Sequence, residues 1–344
     1  NYSQKIVLSG VTDSVMIDSS KFVGPVTNSS SSNHTSIYGN GADATGLKIK
    51  NSTFNDGGGY GIYLTGSSSS SPTGLEISGN TFTNTYNGIY LQYYDGVTIR
   101  GNTLSGSYMY DYGLSLLYCD GANVIEDNTI YAPDMTNGIY LNYCQATSGN
   151  EAIIANNLIS VEDQGIYLQN YNYYQNVYYN SVRVRDSYAL YTYSGSSNNT
   201  LINNILLTEA TGAPAAYFYN TSVFSSSDYN DFYSSYAYPI YGDGYRSLES
   251  WQSYSGQDSN SVSIDPIFNA DSSLVPTSYI LDNKGTPIAG ITDDIYGSNR
   301  SETTPDMGAI EFTVEGSPLS GIYTVGTGGD YDSISTALND LSIY

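Results

Sequence analysis

The sequence predicts an all-β solenoid, a parallel β-helix of about nine or more coils, from three observations. A phrase reading hydrophobic-x-Ile-x-x-Asn-x-Phe, followed later by Gly-Ile-Tyr-Leu, returns about every 22 to 30 residues. Its segments are strand-like: Gly61-Ile62-Tyr63-Leu64 and Gly165-Ile166-Tyr167-Leu168 alternate, and Gly, Asn, Asp and Ser clusters punctuate them as turns. The shortest spacing, Asn80 to Asn102, fits three short strands and three bends but not a propeller blade of about 40 residues. No helical period is read between residues 1 and 310, which excludes a helical repeat.

Three registers run through the coils, expected over residues 1–245. An inward apolar pair runs Ile17/Phe22, Ile49/Phe54, Ile77/Phe82, Ile99/Leu104, Ile125/Ile130, Ile154/Ile159, Val177/Val182 and Leu201/Leu206, with Phe232 alone in the last copy. Between the members sits a polar position: Ser20, Ser52, Asn80, Asn102, Asn128, Asn157, Asn180, Asn204 and Asn230. Stacked amides can hydrogen-bond up such a column, and Asn tolerates the left-handed backbone of a sharp bend, so this column reads as a bend-forming ladder inside the wall. The third register is mostly aromatic: Tyr38, Tyr63, Tyr90, Ser115, Tyr140, Tyr167, Tyr191, Phe218 and Tyr241. Alternation in Gly-Ile-Tyr-Leu sends Ile and Leu inward and Tyr outward. An outer stripe is therefore expected, flanked by Tyr93, Tyr118 and Tyr143.

Residues 246–315 leave the repeat and read as a closing region. Residues 316–344 then restart as a short strand, Gly321 to Val325, a glycine turn, and a helical face of Ile334, Ala337, Leu338 and Leu341. The tail is expected to open a next repeat unit of a tandem array; a helix capping this same solenoid is the alternative.

With Lys+Arg 10 against Asp+Glu 33, the net charge is −23. Such a surface repels nucleic acid and anionic membranes and suits a salty extracellular medium. No apolar run has transmembrane length, so membrane insertion is not expected. Cys119 and Cys144 occupy the same position in consecutive coils, so a disulfide and a stacked free pair are both open.

The coils resemble the right-handed parallel β-helix of the pectate-lyase-like family, whose members also carry internal Asn ladders. Trp251-Gln252, Gly256-Gln257-Asp258, Asp265-Pro266-Ile267-Phe268 and Pro305-Asp306-Met307-Gly308-Ala309-Ile310-Glu311-Phe312 look like the closing region of such domains in giant secreted or surface bacterial proteins. The resemblance implies right-handedness and a surface-displayed location, but the fold hosts enzymes, adhesins and spacers alike.

For lyases of this fold the resemblance implies a calcium-binding acidic cluster with an Arg or Lys base. For hydrolases it implies paired aspartates with a His and an Arg-x-Lys element. Neither pattern is read here. The one histidine, His34, lies in a Ser/Asn-rich loop, and Arg100, Arg183 and Arg185 are the basic groups well inside the solenoid. Asp95 and Asp120, each before Gly in successive coils, make turns or a weak Ca²⁺ site between loops. Asp293, Asp294, Asp306 and Glu311 fall inside the closing motif and read as structural.

What remains is aromatic, with Tyr at 38 of 344 residues. The expectation is a non-catalytic structural or adhesive repeat domain of a large extracellular surface or filament protein. Its partners would be other copies, neighbouring repeat units, glycans or cell surfaces. A polysaccharide lyase or hydrolase, or a glycan-binding module, is the alternative.

Overall fold

The computed structural model describes residues 5–10, 13–26, 29–56, 58–314 and 322–337. Each coil contributes one strand to each of three sheets, with eleven, nine and nine strands. All neighbours are parallel except the last pair of the first sheet, Ile240–Gly242 with Tyr245–Arg246. First-sheet strands such as Asn87–Gln92 run six residues, while second- and third-sheet strands such as Thr98–Arg100 and Thr103–Ser105 run three. The first wall is thus the widest flat face of the rod.

The predicted registers set the pairing. Ile77, Ile99 and Ile125 align in the second sheet, and Phe54, Phe82, Leu104 and Ile130 in the third. All of these are at most 1% exposed, and Phe22, Phe54 and Phe82 stack with centroids 4.8 and 4.5 Å apart. Each such side chain contributes about 1.5–3 kcal/mol of apolar burial. In Gly-Ile-Tyr-Leu the glycine answers to that packing: a Cβ on Gly88 would lie 2.3 Å from Leu104 Cδ2 and 2.4 Å from the Gly113 carbonyl.

The polar column is a continuous ladder. Asn102 donates its backbone N–H (3.1 Å) and Nδ2 (3.0 Å) to Asn128 Oδ1, and Asn128 Nδ2 donates to Ile99 O (2.9 Å) and Asn157 Oδ1 (3.0 Å). Ser52 begins this arrangement and Ser261 ends it, accepting from Ser20 N and Asn230 N. The ladder Asn is not itself the left-handed residue expected at the bend. The left-handed residue of the bend is the one before the ladder position: Asn51 (φ 48°), Gly79 (66°), Gly101 (64°), Asp127 (58°), Asn156 (54°), Asn203 (62°) and even Tyr179 (51°). The ladder Asn supplies hydrogen bonds, and its predecessor supplies the turn.

A helix, Leu248–Ser255, was not anticipated. Ser247 caps it by accepting from Ser250 N, and Gly256 ends it at φ 71°. Its Trp251 is 2% exposed, 5.1 Å from the Phe218 ring, and lies over the last coils of the core. Eight residues are too few to display a helical period, so this helix leaves no periodic signal in the sequence.

From residue 256 the chain turns back along the outside of the bend between the second and third sheets. Met307, Ile310 and Phe312 pack with Leu158 and Ile205 of the third wall. Arg300 stacks over Tyr179 at 3.9 Å and donates to Asn156 Oδ1 (2.9 Å) and Gly308 O (3.0 Å). The acidic set of this segment caps backbone. Asp294 accepts from Tyr296, Ser298 and Glu311 N–H, Asp306 from Asn283 and Phe312, and Glu311 from Ser301 and Asp306.

Of the tail, Val325 bridges Tyr331 and residues 334–337 form a helical turn, with Ile322 96% and Ile334 69% exposed. Leu338 and Leu341, expected on that helix, lie outside the described residues. No described helix is long and apolar enough to cross a membrane.

Candidate functional site: a tyrosine wall

The first sheet aligns Tyr38, Tyr63, Tyr90, Ser115, Tyr140, Tyr167, Tyr191, Tyr217 and Tyr241 in one column. Every predicted member is there but one. Phe218 points inward, 1% exposed beside Trp251, and Tyr217 takes the outer place. The segment Ala216-Tyr217-Phe218 alternates plausibly in either sense, and pairing of Ala216 with Leu190 and Ile240 fixes which face is inside.

The rings lie against one another along the rod. Centroids are 5.5 Å apart for Tyr38–Tyr63, 4.6 Å for Tyr63–Tyr90, 4.5 Å for Tyr167–Tyr191 and 4.2 Å for Tyr217–Tyr241, with planes within 21° of parallel. Tyr140–Tyr167 and Tyr191–Tyr217 meet edge to face. At Ser115, itself buried, the column is interrupted, and Tyr112 leans onto Tyr140 at 5.0 Å. Most ring faces are therefore covered by neighbouring rings, leaving edges and hydroxyls toward solvent. The predicted stripe is half-buried rather than open, and Tyr140 is only 9% exposed.

A second row stands beside it. Tyr93, Tyr118, Tyr143 and Tyr171 stack at 5.2, 4.8 and 5.3 Å, all on left-handed backbone at φ 57°, 51°, 57° and 47°. Tyr118 and Tyr171 are the more open, at 38% and 43%. Sequence reading found the first three and missed Tyr171, because its coil carries one more residue between the strand and the turn. Between the two rows lie amides: Tyr90 donates to Gln92 Oε1 (3.4 Å), Tyr140 to Gln169 Oε1, and Asn170 Nδ2 to Asn142 Oδ1 (3.1 Å).

No Asp, Glu, Lys or Arg occurs on any described parallel strand of the first sheet, although the chain carries −23; the Asp111 carboxylate stands just before one strand, near Tyr60 and Tyr112. Burial, reinforced by nearby tyrosines, pushes the Tyr191 and Tyr217 phenols up to about 12 and moves Tyr90 and Tyr140 upward as well. These groups stay neutral at physiological pH.

The other predicted residues make the following contacts. Asp95 Oδ1 accepts Asp120 N–H (3.0 Å), and Asp120 Oδ1 accepts Gln145 N–H (2.8 Å), so these carboxylates tie consecutive turns together. No group of three or more His, Cys, Asp or Glu placed to hold a metal occurs among the described residues. Cys119 and Cys144 are free and fully buried, their thiols directed at the Leu117 and Leu116 carbonyls (3.5 and 3.4 Å). The sequence left a disulfide and a stacked free pair open, and the structure holds the two as a free pair. Burial pushes the Cys144 thiol up to about 12 and raises Cys119 too.

Arg183 and Arg185 lie on the outer side of the third sheet beside carboxylates. Arg183 pairs with Glu209 (2.7 Å) and Asp271 (3.2 Å), and Arg185 with Asp271 (3.5 Å) and Glu162 (3.9 Å). With Tyr233, Asp265 and Phe268, Arg183, Glu209 and Asp271 line a groove of about 460 Å³. The ion pairs pin the returning segment, through Asp271, to the rod.

Comparison with known families matches the model described as a right handed beta helix region to residues 35–206 and 107–250, more than half of the chain. No curated protein matches it.

Proposed function

The chain belongs to the right-handed β-helix family, and from that premise we propose that it is a non-catalytic structural repeat domain of a large extracellular surface or filament protein. Its tyrosine wall would mediate lateral contact with other copies or repeat units. One observation carries the reading: a broad face of uncharged strands bearing aromatic edges, hydroxyls and amides on a chain of net charge −23. Tyr is enriched at protein interfaces, and large patches of this kind usually bind something. Between two such rods, contact across this wall keeps like charges apart. Sugar rings would need open aromatic faces, and here most faces are covered by the next coil.

The test is sedimentation velocity of the purified chain at low and high salt. Residual repulsion between the acidic rods is screened by salt, with a Debye length near 10 Å at 0.1 M, so association should strengthen as salt rises. Replacing Tyr90, Tyr140 and Tyr167 with Ser should abolish it without unfolding the rod. A chain that stays monomeric at all salts would end the assembly reading.

The second reading, a carbohydrate-active enzyme or glycan-binding module, is favoured by the groove around Arg183, Glu209, Asp265 and Tyr233. Turnover or retention of a polysaccharide that is lost in Arg183→Ala, but kept in the triple Ser variant, would select it.

A further inference from the structure

We propose that the outer row Tyr93, Tyr118, Tyr143 and Tyr171 is a site of oxidative cross-linking, where a peroxidase-type one-electron oxidant joins phenols of successive coils as dityrosine. Three observations converge on this row. Its rings are in contact from coil to coil, at 5.2, 4.8 and 5.3 Å with planes 24°, 12° and 21° apart. It is more open than the central column, Tyr118 and Tyr171 being exposed where Tyr140 is buried. Its members also occupy backbone that does not call for an aromatic residue. The same register holds Gly41 (φ 67°) in an earlier coil and Gly195 (φ 79°) in the coil after Tyr171, and left-handed backbone is strained for a bulky side chain. Glycine serves this turn in other coils, so the backbone itself does not require an aromatic residue there.

The chemistry balances with hydrogen peroxide as the terminal oxidant. Each of two phenols gives one electron and its hydroxyl proton to the oxidant, leaving two phenoxyl radicals. These couple through ring carbons ortho to oxygen, forming one C–C bond. The two ortho C–H protons then move to the oxygens and restore both phenols. Each link removes two hydrogens from the protein and reduces one peroxide to two waters. Coupling of two radicals is a bimolecular step, and rings held in contact within one chain meet at an effective concentration far above that of separate chains. Links should therefore form along the row, within a rod. They would join consecutive coils covalently in a chain whose two cysteines are free and buried.

The experiment treats the purified chain with a peroxidase and hydrogen peroxide. Dityrosine fluorescence, migration on a denaturing gel and mass spectrometry of linked peptides are then read. Expected are monomer-sized protein and linked pairs Tyr93–Tyr118, Tyr118–Tyr143 and Tyr143–Tyr171. Tyr118→Phe keeps a ring in the stack but removes the phenol, so two of these three contacts should lose their links and the row's dityrosine should fall by about two-thirds. Tyr296, 62% exposed, is the control for exposure without a stacked neighbour. Multimers linked through Tyr296, unchanged links in Tyr118→Phe, or no dityrosine at all would each overturn the proposal.

Discussion

Asn128 accepts two hydrogen bonds through Oδ1 and donates two through Nδ2, all inside the wall. Removing the amide strands several buried backbone and side-chain groups, each costing about 1–3 kcal/mol when unsatisfied. Asn128→Ala should therefore lower unfolding free energy by about 3 kcal/mol in a denaturant titration. Asn128→Ser should cost less, because Ser52 and Ser261 accept a backbone N–H in the same column. Equal losses for both would argue against the ladder as the source. At this scale the sequence was most readable. The ladder and the inward pairs repeat with one register, and strand alternation translates register into inside and outside. The residue before each Asn was harder to read, since Gly, Asn, Asp, Ser and Tyr all fill that left-handed position. A conformation shared by such different residues leaves no pattern in their identities.

Among the elements, the returning segment depends most on one side chain. Arg300 is held by Tyr179, Asn156 and Gly308 and pairs with Glu311 at 3.5 Å. Arg300→Met keeps the length of the side chain but removes the donor to the Asn156 and Gly308 oxygens and the charge paired with Glu311. Hydrogen exchange should then speed up over residues 285–312 while the coils from Tyr60 to Leu168 stay protected. Loss of protection across the whole rod would mean that the segment is needed for the coils themselves. This docking was invisible beforehand because it joins residues such as Asn156 and Arg300, 144 positions apart. The helix at Leu248–Ser255 escaped for a different reason, its role resting on one tryptophan meeting Phe218.

For the whole molecule, pH acts through buried carboxyls and through net charge in the same direction. Burial pushes Asp306 up to about 7 and raises Asp258, which accepts from Trp251 Nε1 (2.7 Å), Ser227 and Ser261. A carboxyl raised in the folded state binds more protons there than in the unfolded chain. Its contribution to stability is thus largest below the unfolded value and is lost as pH rises through the folded one. Acid also relieves the self-repulsion of a chain at −23. Thermal unfolding should accordingly move to lower temperature from about pH 4 to pH 7, and Asp306→Asn should flatten that slope. A midpoint that climbs across this window would contradict the assignment.

The rod was legible in the chain alone: its three walls, its Asn ladder, its apolar columns and nearly all of its tyrosine stripe. It could be read because a solenoid repeats one local environment, and repetition exposes the pattern of each position. Packing in three dimensions settled that Tyr217 rather than Phe218 faces outward and that the tyrosine faces cover one another. It alone placed Arg183 and Arg185 in ion pairs under the returning segment. Those outcomes depend on loop lengths, Cβ directions and contacts between distant segments, which no repeat can encode.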